Sequence, residues 1–254
     1  IRNLLIDAYD VVDNKPKTAA YRAPGAPIGA FAAESLIDEI CEKLSIDPLD
    51  FRILNGAKEG TRRASGLQNP RIGAIETAQA ARDHEHYATA IEGPNRGRGV
   101  ASGFWMNGSG PACATAMVSF DGTVNLTIGS MDIGGLRPVA AQHLAEALGI
   151  PVEEVNPQVA DTDSIGFTSV TGGSGTAFKT GWASYEAAQD VKRQMIDRAA
   201  MIWDTSAKEI ELADGVFRHK SDPELSITFK ELAAETPATG GPVVGRANMN
   251  PAGA

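Results

Sequence analysis

The run V-T-G-G-S-G-T-A-F-K-T-G, Val170 to Gly181, offers backbone N–H groups to a ligand. Gly172, Gly173 and Gly175 let the chain turn without a Cβ penalty, and Ser174 and Thr176 add hydroxyls. Such a nest ahead of a helix suits an anion, because amide dipoles and a helix N-terminus both favour negative charge. It is not a Walker A loop, since Phe178 stands where that motif needs the glycine before Lys-Thr. A flexible turn of small residues fits the same letters. A second strand-to-helix turn, G-S-M-D-I-G-G-L-R from Gly129 to Arg137, reads by itself as structural more readily than functional, but two such turns in one domain raise the odds of a shared ligand. In A-Y-R-A-P-G, Ala20 to Gly25, Arg22 either anchors an anion or caps a neighbouring helix. Phe104-Trp105 lines an apolar pocket or fills the core, the default for aromatics.

The other chemistry-bearing residues carry weaker signals. In Asp83-His84-Glu85-His86 the two histidines share a face if the segment is extended, yet a solvated surface stretch is the better reading. His143 and His219 stand alone, and no Ser-His-Asp order, paired-carboxylate site or Cys-His dyad can be argued from spacing. The residues taken alone reach a ligand-binding domain with two glycine nests and no identified nucleophile.

Several elements must position these turns. Ala30, Ala33, Ile37, Ile40 and Leu44 recur at helical spacing, with Glu34, Asp38 and Glu42 expected to face away. Asp47-Pro48 announces a second helix to about Asn55. From Gly56 to Gly97 the chain reads as connections around at most one short helix near Glu76 to His86. Ala116, Val118 and Phe120, the turn Asp121-Gly122, then Val124, Leu126 and Ile128 predict a hairpin with a one-sided core. A helix over Val139 to Leu148, a strand over Glu154 to Ala160 and a long loop from Asp161 to Thr180 follow, with a helix from Gly181 to Trp203 behind them. A hairpin turning at Asp214-Gly215 and a Thr228/Glu231 capping box complete the series. The closing NMNPAGA reads as a loop that completes no core element and points to truncation. Hairpins and helices without a regular alternation predict an α+β fold of mixed sheets and packed helices, with a soft boundary near residue 90.

Composition narrows the classes. Hydrophobic residues make up 43% and charged residues 22% of the 254, which is ordinary for a globular protein. A net charge of -9 with no basic stripe argues against a nucleic-acid binder. Cys41 and Cys113 lack CxxC spacing, so no disulfide framework or zinc site is signalled and a reducing cytoplasm is the expectation. No apolar run is long enough for a membrane span.

Taken together, A-Y-R-A-P-G-A-P, F-A-A-E-S-L-I-D-E-I, I-D-P-L-D-F-R, D-G-T-V-N-L-T-I-G-S-M-D-I-G-G, A-E-A-L-G-I-P-V-E-E-V and D-T-D-S-I-G-F-T-S-V-T-G-G-S-G-T, in this order, resemble the molybdenum-cofactor-binding large subunit of the xanthine dehydrogenase and aldehyde oxidase family. The resemblance implies an incomplete cofactor-binding fold, with 1–90 the C-terminal part of a first such domain and 91–254 the N-terminal part of a second. It implies molybdopterin with molybdenum, in the cytosine dinucleotide form, held by hydrogen bonds and not by side-chain ligands to the metal. The backbone N–H groups of Arg22 and Gly173 would approach metal oxygens; Ala23, Gly172, Ser174, Gly175 and Thr176 would contact the cofactor, and Gly134, Gly135, Leu136 and Arg137 would form a second cofactor-binding turn. Pro24, Phe104 and Trp105 would wall the substrate pocket.

Two departures bear on substrate. Gly134 stands where the family often has glutamine, and Pro24 where many members place an aromatic; with the bulky Trp105, this makes purine a poor first choice. The implied reaction is hydroxylation of an aldehyde or N-heteroaromatic carbon with water as oxygen source, with no catalytic residue in this chain and the general-base glutamate expected beyond Ala254, so that the isolated chain is expected to be inactive. Partners would be the rest of the large subunit and subunits carrying 2Fe-2S clusters and FAD. A non-catalytic pterin- or phosphate-binding domain is the alternative, and a structural remnant that only pairs with other chains is a third.

Overall fold

The computed structural model describes residues 4–251, and the chain divides into two units, Ile1–Trp105 and Met106–Ala254.

The first unit is helical. Its elements are α1 (Ala26–Leu44), α2 (Pro48–Asn55), α3 (Ala74–Asp83) and α4 (Glu85–Ala88). Asp47 caps α2, accepting from the amides of Leu49 and Asp50, as its place before proline predicts. The single helix expected near Glu76–His86 is two, because His84 is extended and caps α4 through its ring, which accepts from the His86 amide. That bond places the Asp83–His86 run in a helix junction.

The stripe on α1 is only partly as expected. Ala30, Ile37 and Ile40 are half-buried, whereas Ala33 and Leu44 are exposed. Glu34, expected to face away, turns inward instead: its carboxylate takes Arg52 Nη2 at 2.6 Å and Nε at 3.1 Å, and the Ser102 amide at 2.7 Å. Both side chains are nearly buried, 14% and 7% exposed. Among the described residues of this unit the buried apolar side chains are Cys41 and Leu49, and Arg52 is buried with them. Removing one partner of such an ion pair costs about 3–5 kcal/mol.

The second unit is built on a four-stranded sheet in the order β3-β2-β1-β7. Its strands are β1 (Ala112–Val118), β2 (Val124–Ile128), β3 (Val155–Val159) and β7 (Val243–Met249). The β1–β2 hairpin forms in the expected register, with Ala116 opposite Leu126 and Val118 opposite Val124. Phe120 lies past the end of β1 and is exposed, so it leaves the expected stripe. β3 runs parallel to β2, reached through α5 (Leu136–Leu148), and this parallel pair makes the sheet mixed.

α6 (Thr176–Trp203) lies on the sheet with α5. Ala183, Ala187, Ala188, Val191, Met195 and Ala199 form its buried face, and the small residues allow close approach. A Cβ on Gly181 would sit 2.6 Å from the His143 ring of α5, and one on Gly245 of β7 would sit 2.3 Å from the Ala187 carbonyl. A small second sheet, β4 (Ile210–Ala213), β5 (Val216–His219) and β6 (Ser226–Thr228), leads into α7 (Phe229–Ala234), which carries the expected capping box of Thr228 and Glu231.

The C-terminal run differs most from expectation. Residues 243–249, of which Asn248 and Met249 fall in the run read as loop, pair with β1 along seven positions, Val243 opposite Val118 through Met249 opposite Ala112. Asn248 and Met249 of NMNPAGA therefore belong to the central sheet. Gly245 interrupts the apolar alternation of β7, and it is there because β7 passes close over α6, with the Ala187 carbonyl in the place of a Cβ.

Candidate functional site

The three turns singled out by residue type share one backbone device. Arg22 and Ala23 (φ 32° and 56°), Gly134 and Gly135 (124° and 81°), and Gly173 and Ser174 (64° and 57°) are consecutive residues with positive φ. Each pair stands just ahead of a helix, respectively α1, α5 and α6. Arg22, Ala23 and Ser174 are not glycine, and holding such residues left-handed costs on the order of 1–3 kcal/mol each. A left-handed residue beside a right-handed one, as Ser174 (φ 57°) stands beside Gly175 (φ -102°, ψ -5°), turns successive amides toward one side, the arrangement of an anion nest. Arg22–Gly25, Pro24, Phe104 and Trp105 belong to the first unit and the other turns to the second. Phe104 is 79% and Trp105 38% exposed, so neither fills a core. A cavity of about 600 Å³ in the first unit, lined among others by Cys41, Asp47, Tyr87 and Arg98, contains none of the candidate cofactor or substrate residues.

In the second unit the structure brings Gly172–Thr176 against the segment ahead of β1. The Gly108 amide donates to the Gly173 carbonyl at 2.8 Å. A Cβ on Gly175 would lie 2.3 Å from the Gly108 carbonyl oxygen, and one on Gly108 2.5 Å from that of Gly173. Those two glycines are needed for contact. Gly172 and Gly173 differ, because a Cβ on either would meet nothing within 4 Å. They face open space, and Gly173 needs glycine for its φ.

α6 begins at Thr176, five residues before the expected Gly181, so the long loop is correspondingly shorter. Among the described residues, no acceptor is bonded to the amides of Gly172, Gly173, Ser174, Thr176 or Ala177, and no side chain caps the helix. This run of open donors meets at an uncapped helix N-terminus, and it fits a group that brings oxygen acceptors or negative charge.

The turn before α5 has the same backbone but a different fate. Asp132 Oδ1 accepts from the amides of Gly134 at 2.8 Å and Leu136 at 3.0 Å, while Oδ2 accepts from Arg137 N at 3.3 Å and Arg137 Nε at 2.8 Å. The Arg137 side chain and these amides hold its carboxyl well below the usual carboxylate range. Here the chain supplies its own anion. Asp132 lies four residues before Leu136 and not at the N-cap position, which Gly135 holds, so the usual helix-start signal does not reveal this interaction.

Three further residues tie the turns down without any sequence signal. Ser130 Oγ and Thr180 Oγ1 share a 2.7 Å hydrogen bond with both residues 1% exposed, joining the end of β2 to the first turns of α6. Lys179, also 1% exposed, donates to the Ser169 carbonyl at 2.9 Å and the Val170 carbonyl at 2.8 Å, with Ser169 Oγ at 2.6 Å. Burial pushes its ammonium below the ordinary lysine range. Cys113 lies under the same loop, its Sγ donating to the Gly166 carbonyl at 2.6 Å. No cluster of three or more His, Cys, Asp or Glu side chains able to hold a metal occurs among the described residues, and none of the described helices is long and apolar enough to cross a membrane.

The family model described as a molybdopterin cofactor-binding domain matches residues 74–251, and a second model of the same description matches 1–56. The chain is 32% identical over 240 residues to the xanthine dehydrogenase molybdenum-binding subunit of Escherichia coli O157:H7, a match covering 87% of this chain and 32% of that one. It is 32% identical over 213 residues to the aldehyde oxidoreductase molybdenum-binding subunit of Escherichia coli K12, covering 79% of this chain and 28% of the relative. The fold is similar to that of CO dehydrogenase from Oligotropha carboxidovorans, at a TM-score of 0.70 and 20% identity over 89% of this chain and 32% of that one. The chain thus spans about a third of the length of the relatives it matches. With the mixed-sheet fold, the open amide nest at α6 and family models that together reach from residue 1 to residue 251, this chain belongs to the molybdopterin cofactor-binding domain family.

Proposed function

We propose that this chain is part of the large subunit of a molybdenum-cofactor-dependent hydroxylase that oxidises an aldehyde or N-heteroaromatic carbon with water as oxygen source. The observation that carries the reading is the set of open amides of Gly172, Gly173, Ser174, Thr176 and Ala177 at the uncapped start of α6. Those donors would take oxygens of the cofactor, and Ser174 and Thr176 add hydroxyls to the same edge. Gly173 N–H, and in the first unit Arg22 N–H, would donate to oxygens on the metal; fixed donors of this kind stabilise developing negative charge without reorganising. Ala23 would contact the cofactor, and Pro24, Phe104 and Trp105 would bound the substrate. When bound, the group supplies the two-electron redox chemistry.

The α5 turn enters this reading differently. Gly134, Leu136 and Arg137 have their amides engaged by Asp132, so the Gly134–Arg137 turn would offer the cofactor a rigid, preset wall and the Gly135 amide. The domain division at about residue 90, the cytosine dinucleotide form of the pterin, and 2Fe-2S and FAD partners in a cytoplasmic hetero-oligomer belong to the same reading. The relatives' names as molybdenum-binding subunits support the assembly.

The full-length protein, purified with the subunits that accompany it, tests this. Molybdenum by elemental analysis should approach one atom per chain, and acid hydrolysis should release a cytidine nucleotide in equal amount. Binding of pterin or phosphate without molybdenum would favour the non-catalytic alternative.

A further inference from the structure

We infer that Lys179 is a positioning residue for the amide nest, closing the loop that carries Gly172, Gly173 and Ser174 and leaving its charge for the bound cofactor to balance. The inference rests on the cofactor reading above. Lys179 is the fourth residue of α6, and its side chain reaches back across the loop to the Ser169 and Val170 oxygens. The segment between these ends is thereby clipped into a ring. Ser169 is fixed in turn, because its amide donates to the Pro111 carbonyl at 2.9 Å. The loop stem, β1 and the first turn of α6 are locked together just where the open amides begin.

The position is electrostatically costly by itself. A lysine at 1% exposure in the first turns of a helix sits at the positive end of the helix dipole. Among the described residues it forms no ion pair with a carboxylate, and its three partners are neutral oxygens. Buried charges are ordinarily paired. An anionic cofactor in the nest supplies the missing opposite charge, so the clip and the ligand stabilise each other.

The test uses the full-length protein in three variants, Lys179→Met, Lys179→Arg and Ser169→Ala. Two readouts are needed: the rate at which molybdenum is lost during dialysis, and protease cleavage within 170–175 in protein made without the cofactor. Lys179→Met should lose molybdenum at least about tenfold faster than wild type and be cut faster at the loop. Lys179→Arg should recover part of the retention, which a purely space-filling role would not give. Ser169→Ala keeps the ammonium and two of its acceptors; it should be cut faster with an intermediate loss of metal, and it serves if Lys179→Met does not fold. Wild-type retention and cleavage in both Lys179→Met and Ser169→Ala would overturn the inference. So would molybdenum loss in Lys179→Met that Lys179→Arg does not reverse at all. A wild-type protein purified with no molybdenum overturns instead the functional reading beneath it.

Discussion

Ser130 and Thr180 are joined by a 2.7 Å hydrogen bond between hydroxyls with almost no access to water. One hydroxyl closes β2 and introduces the α5 turn; the other belongs to α6, whose N-terminus carries the open amides. Thr180 also accepts at its carbonyl from Ser184 Oγ at 2.8 Å. The pair therefore sets the spacing of the two turns. Thr180→Val or Ser130→Ala alone should lower stability by about 1–3 kcal/mol, because each strands a buried partner. The double variant should recover a large part of that loss. Chemical denaturation of all four proteins checks this, and additive losses in the double variant would refute the coupling.

Gly173 and Gly175 should fail for different reasons. Gly173→Val forces a β-branched residue to φ near +64° in open space, so the expected result is a folded protein whose nest has changed shape and whose molybdenum content has collapsed. Gly175→Ala drives a methyl group into the Gly108 carbonyl, so it should lower stability as well as occupancy. Circular dichroism beside metal analysis separates the two. Full molybdenum stoichiometry in Gly173→Val would falsify the cradle assignment.

How much of this was legible in the sequence follows from which interactions are local. The Asp47 cap, the β1–β2 hairpin and the Thr228–Glu231 box are each written within a few residues and appear where expected. The glycine turns were visible as types, but the open or closed state of their amides was not, since Asp132 and the uncapped start of α6 differ only in three dimensions. β7 was missed because its partner β1 lies more than a hundred residues away, and Gly245 is there for contact with α6. Glu34 was misread because amphipathic spacing assumes that charge faces water, while Arg52, eighteen residues on, supplies its partner. Lys179 had no signal: a lysine in a glycine-rich loop looks exposed until the loop folds over it.

Tyr87 should titrate late for a tyrosine. Burial, then the 2.7 Å hydrogen bond it donates to Asp47 and the charge of that carboxylate, push its hydroxyl up to about 12. A folded pKa above the unfolded one near 10 means that its contribution to stability is whole below about pH 10 and is lost as pH rises towards about 12. Titration followed at 295 nm should show a late phase that disappears in Tyr87→Phe. Identical titrations of the two proteins would rule this out.

Asp132 gives the opposite pH dependence and bears on how the α5 turn works. Its folded carboxyl titrates below the ordinary range because the Arg137 side chain and the Gly134, Leu136 and Arg137 amides all bond the charged form. The stabilisation is thus present above the unfolded carboxylate pKa near 3.9 and is lost as pH falls through the lower folded value. Asp132→Ala should flatten the acid limb of the stability curve and lower stability at neutral pH, with Arg137 and the three amides left to water. It should also separate two roles for the turn in the full-length protein. If the turn acts as a preset wall, losing the cap loosens it, and molybdenum is retained less well than in wild type at neutral pH. If instead the cofactor competes with Asp132 for those amides, freeing them strengthens binding. Retention measured by dialysis against wild type decides: slower loss of molybdenum from Asp132→Ala would reject the preset wall, and faster loss with a flattened acid limb would support it.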